Sequence, residues 1–291
     1  MKDLEIRRLG RTGIRSRALG LGCAWFGSKQ SSDRDTVEGV RRAIDLGINF
    51  LDTSPYYWES ERRLGSALAE GWRDRVYLQT KTGTHPQCRG DYSARATRWS
   101  VENSLRLLRT DYLDSCLIHD PDDIELPLAP GHALDELLQM KEEGLVRHVG
   151  LGVRSHEFHR RALETGNMDI VLTYLDYTLL DQSAAETVLP WALEWDAGVI
   201  LASVLGMGLL AGLKPNPVKD PLAHAMWRWC RARGVNIRHL ALQFCLVAPI
   251  EGIVLFGAAN RKEVEEGYEA ATAEIPEDVR REFRAAFGVG P

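Results

Sequence analysis

The chain has 291 residues, 44% of them hydrophobic, which is enough apolar material for a sizeable core and argues against global disorder. Its net charge of −5, with no basic stripe, disfavours a nucleic-acid partner. The start MKDLEIRRLGRTG has no apolar h-region and no stretch approaches about 18 uninterrupted apolar residues, so neither a secretory signal nor a membrane span is expected. Cys23, Cys88, Cys116, Cys230 and Cys245 are scattered, odd in number and free of any CxxC, the usage of reduced thiols in a cytoplasmic protein.

Taken in chain order, EIRRLGRTGIRSRA (5–18) places turn residues between two short runs and predicts a β-hairpin. Eight strand-like runs follow: RALGLG (17–22), INFLD (48–52), VYLQT (76–80), DSCLIH (114–119), LVRHVGL (145–151), DIVLTY (169–174), GVILAS (198–203) and GIVLFG (252–257). Helical spacing lies between them, with Val37, Val40 and Ile44 on one face, Val101, Leu105 and Leu108 on another, and Leu134, Leu137 and Leu138 on a third. Ser155 and Ser183 are expected to cap the fifth and sixth helices, and Pro190 to kink the sixth. KPNPVKDP (214–221) is the most loop-like stretch and falls inside the seventh connection. With no internal repeat and no linker, residues 1–291 read as one domain.

Alternating strand and helix units predict an α/β fold with a parallel sheet. Eight of them without a large insertion favour a single (β/α)8 TIM barrel, its bottom capped by the hairpin and its active site at the C-terminal face. A doubly wound sheet is disfavoured because no GxGxxG opens a helix after a strand; LGLGCAWFG (19–27) is only superficially similar.

Asp52, Lys81 and His119 then fall at the ends of the second, third and fourth barrel strands, and Tyr57 lies in the loop five residues beyond Asp52. Any one of them has a bland reading as a turn residue, a solvated charge or a core imidazole. Together they assemble a proton-transfer site. Lys81 beside Tyr57 is expected to lower the phenol's pKa, Asp52 to pair with Lys81, and His119 to hydrogen-bond a substrate oxygen or help move the proton. Hydride transfer at carbon would require a nicotinamide. His119, Asp120, Asp122 and Asp123 suggest a metal only weakly, since the Lys81 ammonium would compete with a cation; no metal is expected.

These pieces resemble the aldo-keto reductase family over nearly the full length. The matching segments are LGLGCAWFG, NFLDTSPYY, SERRLGSAL (60–68), LQTKTG, DSCLIHDPD, MGLLAG (207–212), LALQFCL (240–246) and FGAANRKEVEE (256–266). Within the family, GDYSA (90–94), DIVLTYLDYTLLDQ (169–182) and LASVLGMGLLAG (201–212) are most similar to the aldose 1-dehydrogenase branch of the L-galactose, L-fucose and D-threo-aldose type. The resemblance implies an Asp52–Tyr57–Lys81–His119 tetrad with Tyr57 as the general acid/base. It also implies an NAD(P)(H)-dependent oxidoreductase acting on a small sugar or aldehyde. A dinucleotide-binding regulatory subunit of the same fold is the alternative.

For the cofactor, the resemblance directs attention to Gly208 and Leu209, where the pyrophosphate should lie, and to Gly257 and Ala258, after which a helix N-terminus suits a phosphate. Glu263 leans towards a ribose 2′-hydroxyl, whereas Arg261 and Lys262 lean towards a 2′-phosphate, so NAD and NADP both stay open. Trp25, Trp58 and Tyr92 are candidates for the substrate pocket wall. Many members hold the carboxamide with Ser-Asn and Gln and stack an aromatic on the ring; the corresponding positions here read Gly152-Val153, Leu172 and Ala202.

Overall fold

A computed structural model describes residues 4–291. Strands β1 (Ile6–Arg8) and β2 (Arg15–Arg17) pair antiparallel as the expected hairpin. Eight parallel strands follow: β3 (Leu19–Gly22), β4 (Phe50–Asp52), β5 (Tyr77–Thr82), β6 (Leu113–His119), β7 (Val146–Gly152), β8 (Ile170–Tyr174), β9 (Gly198–Ala202) and β10 (Gly252–Gly257). They close into a barrel in chain order, with β10 pairing both β9 and β3.

The helices are α1 (Ala24–Gly27), α2 (Asp33–Asp45), α3 (Ser60–Ala67), α4 (Ala94–Leu108), α5 (Glu125–Leu128) and α6 (Ala133–Glu142). They continue as α7 (His156–Leu163), α8 (Val188–Glu194), α9 (Pro221–Ala232), α10 (Ile237–Leu246), α11 (Arg261–Thr272) and α12 (Glu277–Phe287). Among the described residues, no helix is long and apolar enough to cross a membrane.

Strand alternation sends side chains to two different cores. Phe50, Leu117, Ile170, Leu172, Ile200, Ile253 and Leu255 fill the barrel interior, joined there by Leu9 and Ile14. Because Leu9 and Ile14 flank the hairpin turn, the hairpin plugs the barrel bottom. Gly198 is required for that plug, since a Cβ there would lie 2.6 Å from Leu9 Cδ1. The outer core buries the helical stripes: Val40 and Ile44 of α2, Val101, Leu105 and Leu108 of α4, and Leu134 and Leu137 of α6. Each such side chain contributes roughly 1.5–3 kcal/mol on burial. A third cluster, including Leu210, Met226, Leu240 and Phe283, packs α9, α10 and α12 together and anchors the long β9–α9 connection.

Three local expectations change. Ser155 occupies the N-cap position of α7 but makes no side-chain capping bond. Ser183 is not a cap; it begins a 3-10 turn, and its N–H donates to Asp181 Oδ1 at 2.9 Å, so the preceding carboxylate does that work. Pro190 is the third residue of α8. There its missing N–H has no intrahelical acceptor to lose, so no interior hydrogen bond is broken and no kink is needed.

Candidate active site

The C-terminal rim of β4–β6 carries a densely hydrogen-bonded polar cluster. Asp52 ends β4, Lys81 lies one residue inside the end of β5 and His119 ends β6. Lys81 had been expected just beyond its strand; instead β5 runs to Thr82, with Lys81 in register with Leu117 of β6. The Lys81 ammonium donates to Asp52 Oδ1 at 2.7 Å, to Asp52 Oδ2 at 2.8 Å and to the Thr53 carbonyl at 2.7 Å. Gln79, two residues earlier on the same strand face, donates to Asp52 Oδ1 at 2.8 Å and accepts from Ser115 Oγ. A buried ion pair persists only when its remaining hydrogen-bonding capacity is satisfied, and here it is.

Tyr57 reaches this cluster because its loop is short and clamped. Its N–H donates to the Ser54 carbonyl at 3.0 Å, and its own carbonyl accepts from Ser60 N–H at 2.9 Å. Ser60 Oγ donates to the Cys23 carbonyl at 2.8 Å and lies 2.8 Å from Thr53 Oγ1. Gly27 completes the clamp: a Cβ there would sit 2.0 Å from the Tyr57 carbonyl oxygen, so only glycine lets the two backbones meet. The Tyr57 ring stands edge-on to the His119 imidazole, with centroids 6.2 Å apart, and Lys81 Nζ lies 4.8 Å from the Tyr57 centroid.

Burial decides the protonation states. It pushes the Tyr57 phenol up from 10, and the Lys81 charge offsets this only in part while Asp52 adds to it. The expectation that Lys81 would lower this pKa overall is therefore corrected: desolvation of the phenolate outweighs the ammonium. For Lys81, burial works against the charge, but the Asp52 carboxylate prevails and the ammonium is held above its usual value. His119 is driven well below 6.5 by burial, reinforced by the Lys81 and Arg89 charges. At neutral pH the site holds a protonated phenol, a charged lysine and a neutral imidazole.

The tautomer of that imidazole follows from its partners. Nε2 lies 3.3 Å from Asp120 Oδ2, and Nδ1 lies 2.9 Å from Thr84 Oγ1. The negative carboxylate near Nε2 favours the ring proton on that nitrogen without hydrogen-bonding it, and Thr84 then donates to Nδ1. Tyr92, expected in the pocket wall, is buried with its hydroxyl donating to the His119 carbonyl at 2.8 Å, where it supports the strand end. Its ring lies over Gly83, which has φ +90 and no room for a Cβ. Trp25 and Trp58 do stand at the mouth, stacked with centroids 6.5 Å apart and 39% and 65% exposed.

The β9–β10 side of the mouth is built differently. Gly257 is exposed against the Trp25 ring and Ala258 is buried; Asn260 then caps α11, its Oδ1 accepting from Glu263 N–H at 3.0 Å. Glu263 Oε2 accepts from Ala259 N–H at 2.8 Å, while Arg261 and Lys262 reach along the helix to Glu265 and Glu266. Gly208 has φ +101 and open space beside it, and Leu209 follows in helical geometry. Arg238 ties this loop down by donating to the Ala211 carbonyl through Nε at 3.0 Å and Nη2 at 2.7 Å, and to Glu266 at 2.7 Å. Exposed backbone at two loop ends and a helix N-terminus, with no side chain filling the space beside Gly208, fit a dinucleotide.

Between the two sides, the positions that the resemblance relates to the nicotinamide contacts are apolar. Leu172 is buried in the barrel interior, Val153 is buried with its carbonyl accepting from His159 Nε2 at 3.0 Å, and Ala202 is half-buried. Gln79, Thr84, Gly27 and Arg238 were not identified from sequence. Gln79 alone carried a local signal, its position two residues from Lys81 on a strand.

Residues 18–286 match the Aldo/keto reductase family. The chain is 33% identical over 287 residues to an L-galactose dehydrogenase from Arabidopsis thaliana, covering 94% of this chain and 89% of that one. It is 30% identical over 312 residues to a D-threo-aldose 1-dehydrogenase from a Pseudomonas species, covering 94% and 95% respectively. An aldo-keto reductase from Klebsiella pneumoniae, solved in complex with NADPH, superposes with a TM-score of 0.76 at 23% identity over 99% of this chain and 96% of that one, a likeness of fold.

Proposed function

The chain belongs to the Aldo/keto reductase family, and from that premise we propose that it is an NAD(P)-dependent oxidoreductase acting on the carbonyl or hemiacetal carbon of a sugar-like substrate. The observation that carries this reading is the buried Lys81–Asp52 pair beneath Tyr57, with neutral His119 alongside. The two sugar dehydrogenases among the relatives support an aldose as substrate.

In this reading Tyr57 is the general acid/base. Its phenol, held protonated by burial, delivers a proton to the reacting oxygen during reduction and must take one up during oxidation. Lys81 supplies a fixed positive charge that limits the cost of the phenolate, and Asp52 holds that charge in place. His119, with its proton on Nε2, orients the same oxygen. A nicotinamide, when bound, would supply the hydride chemistry: carbonyl reduction would consume reduced dinucleotide and the Tyr57 proton, and hemiacetal oxidation to the lactone would return both. Gly208, Leu209, Gly257 and Ala258 would line the dinucleotide's path. Trp25 and Trp58 would form the apolar wall for a sugar face.

We further infer a preference for NAD. Glu263 brings a carboxylate to the start of α11, where a 2′-phosphate would be repelled, and Arg261 and Lys262 are already directed to Glu265 and Glu266. The test is absorbance at the reduced-nicotinamide band with NAD or NADP across a panel of aldoses and aldehydes. Tyr57→Phe should lower turnover by about 10²–10⁴-fold while dinucleotide binding stays measurable by fluorescence. Wild-type turnover in that variant would remove Tyr57 from the mechanism. Tight dinucleotide binding with no turnover of any substrate would instead favour a regulatory protein.

A further inference from the structure

We propose that Asp120 is a specificity-determining residue. Its carboxylate accepts hydroxyl groups of a neutral polyhydroxylated substrate and excludes substrates that carry a carboxylate of their own. The proposal rests on the oxidoreductase reading above and specifies the chemistry its pocket admits.

Asp120 directly follows His119 and has φ +41, a conformation unusual for a non-glycine residue. Its N–H donates to the Gly152 carbonyl at 3.1 Å, fixing the turn at the end of β6. Oδ1 accepts from the Tyr174 hydroxyl at 3.1 Å, and Oδ2 lies 3.3 Å from His119 Nε2. The side chain is 41% exposed although His119 beside it is buried, so the carboxylate opens onto the same mouth as the imidazole.

The charge is the second argument. Asp52 is neutralised by Lys81, but Asp120 forms no salt bridge to Lys or Arg among the described residues; His119 beside it is neutral, and the Lys81 charge reaches it only from a distance. Arg89, whose charge is felt at Asp120, is exposed and lies over the Tyr56 ring. A carboxylate offers about four acceptor positions, and the Tyr174 hydroxyl takes one. Those remaining suit the O–H donors of an adjacent diol. A substrate with no hydroxyl would desolvate Asp120 without replacing the lost water, and an anionic one would add like-charge repulsion.

The experiment compares kcat/KM for a neutral aldohexose, the corresponding uronate and propanal in wild type, Asp120→Asn and Tyr174→Phe. Dinucleotide affinity, read by fluorescence, checks that each variant folds. In Asp120→Asn the aldohexose-to-propanal ratio should fall by at least about tenfold, chiefly through KM, as expected for loss of a charge-assisted hydrogen bond. The uronate should gain relative to the aldohexose. Tyr174→Phe should move both ratios the same way by a smaller factor, because Tyr174 only positions the carboxylate. Ratios within about threefold of wild type, or equal losses on all three substrates, would overturn the proposal and leave Asp120 acting through His119 alone. Wild-type protein that turns over none of the three would overturn the oxidoreductase reading itself, and this proposal with it.

Discussion

The two sides of the barrel mouth hold their ligand-facing groups by opposite means. On β4–β6, where the proposed chemistry lies, side chains hold side chains, Ser115 to Gln79, Gln79 to Asp52, Asp52 to Lys81 and Thr84 to His119, while Tyr57 is placed by its backbone clamp. On β9–β10, backbone is presented instead, with Gly208, Gly257 and the start of α11 exposed, Arg238 fastening the β9 loop to α11 and Trp227 donating to the Gly212 carbonyl of that loop. The difference follows from the task. Proton transfer needs pKa values displaced by burial, which requires a dry, fully partnered environment. Binding a long anion needs N–H groups and space, which glycine and helix ends provide without burial.

Damage on the two sides should therefore have different signatures. The largest effect is expected from Lys81→Met, which leaves Asp52 charged, buried and unpaired. Activity should be lost and stability should fall by about 3–5 kcal/mol, read by urea denaturation. A variant as stable as wild type would break the idea that this side is structurally committed.

His159, which holds the Val153 carbonyl between the two sides, gives the next test. Burial lowers its pKa from 6.5 to about 4. The unfolded chain therefore binds a proton below pH 6.5 that the folded chain refuses until about pH 4, so the fold loses stability as pH drops through that window. Replacing His159 with Gln should make the loss between pH 7 and 4.5 smaller by about 2 kcal/mol.

On the cofactor side, Arg238→Leu should raise the dinucleotide Kd by about tenfold while costing only about 1–2 kcal/mol of stability, measured by fluorescence titration and thermal unfolding. Equal damage to both would mean that the β9 loop is core rather than clasp. The smallest effect is expected at Glu263→Gln, which should improve NADP relative to NAD by about threefold, and less in high salt because the site is exposed.

The same contrast explains what the sequence made legible. Apolar runs and helical stripes marked all eight barrel strands and the helix faces of the outer core, because local patterning encodes burial; the side chains that fill the barrel interior, Leu9 and Ile14 of the hairpin among them, were not marked. Asp52, Lys81 and His119 were found because a polar residue closing an apolar run stands out. The sign of the Tyr57 shift was not, since a neighbouring ammonium is visible in sequence while the depth at which a phenol sits is a tertiary property. Arg238 lies 27 residues from the carbonyl it binds and carries no local mark. Gly27 reads as one glycine among 26 until the backbone of Tyr57 is laid against it.

That contact separates what this enzyme's descendants can change from what they cannot. Trp58, next to Tyr57, is 65% exposed with φ +47, whereas the Tyr57 carbonyl is pressed onto Gly27. The outer side chain of the loop can be exchanged for another aromatic, an asparagine or a glycine with Tyr57 left in register. A side chain at position 27 would displace the tyrosine itself. On the reading proposed above, the pocket wall is therefore open to drift at one position of the loop, while the acid/base beneath it is held in place.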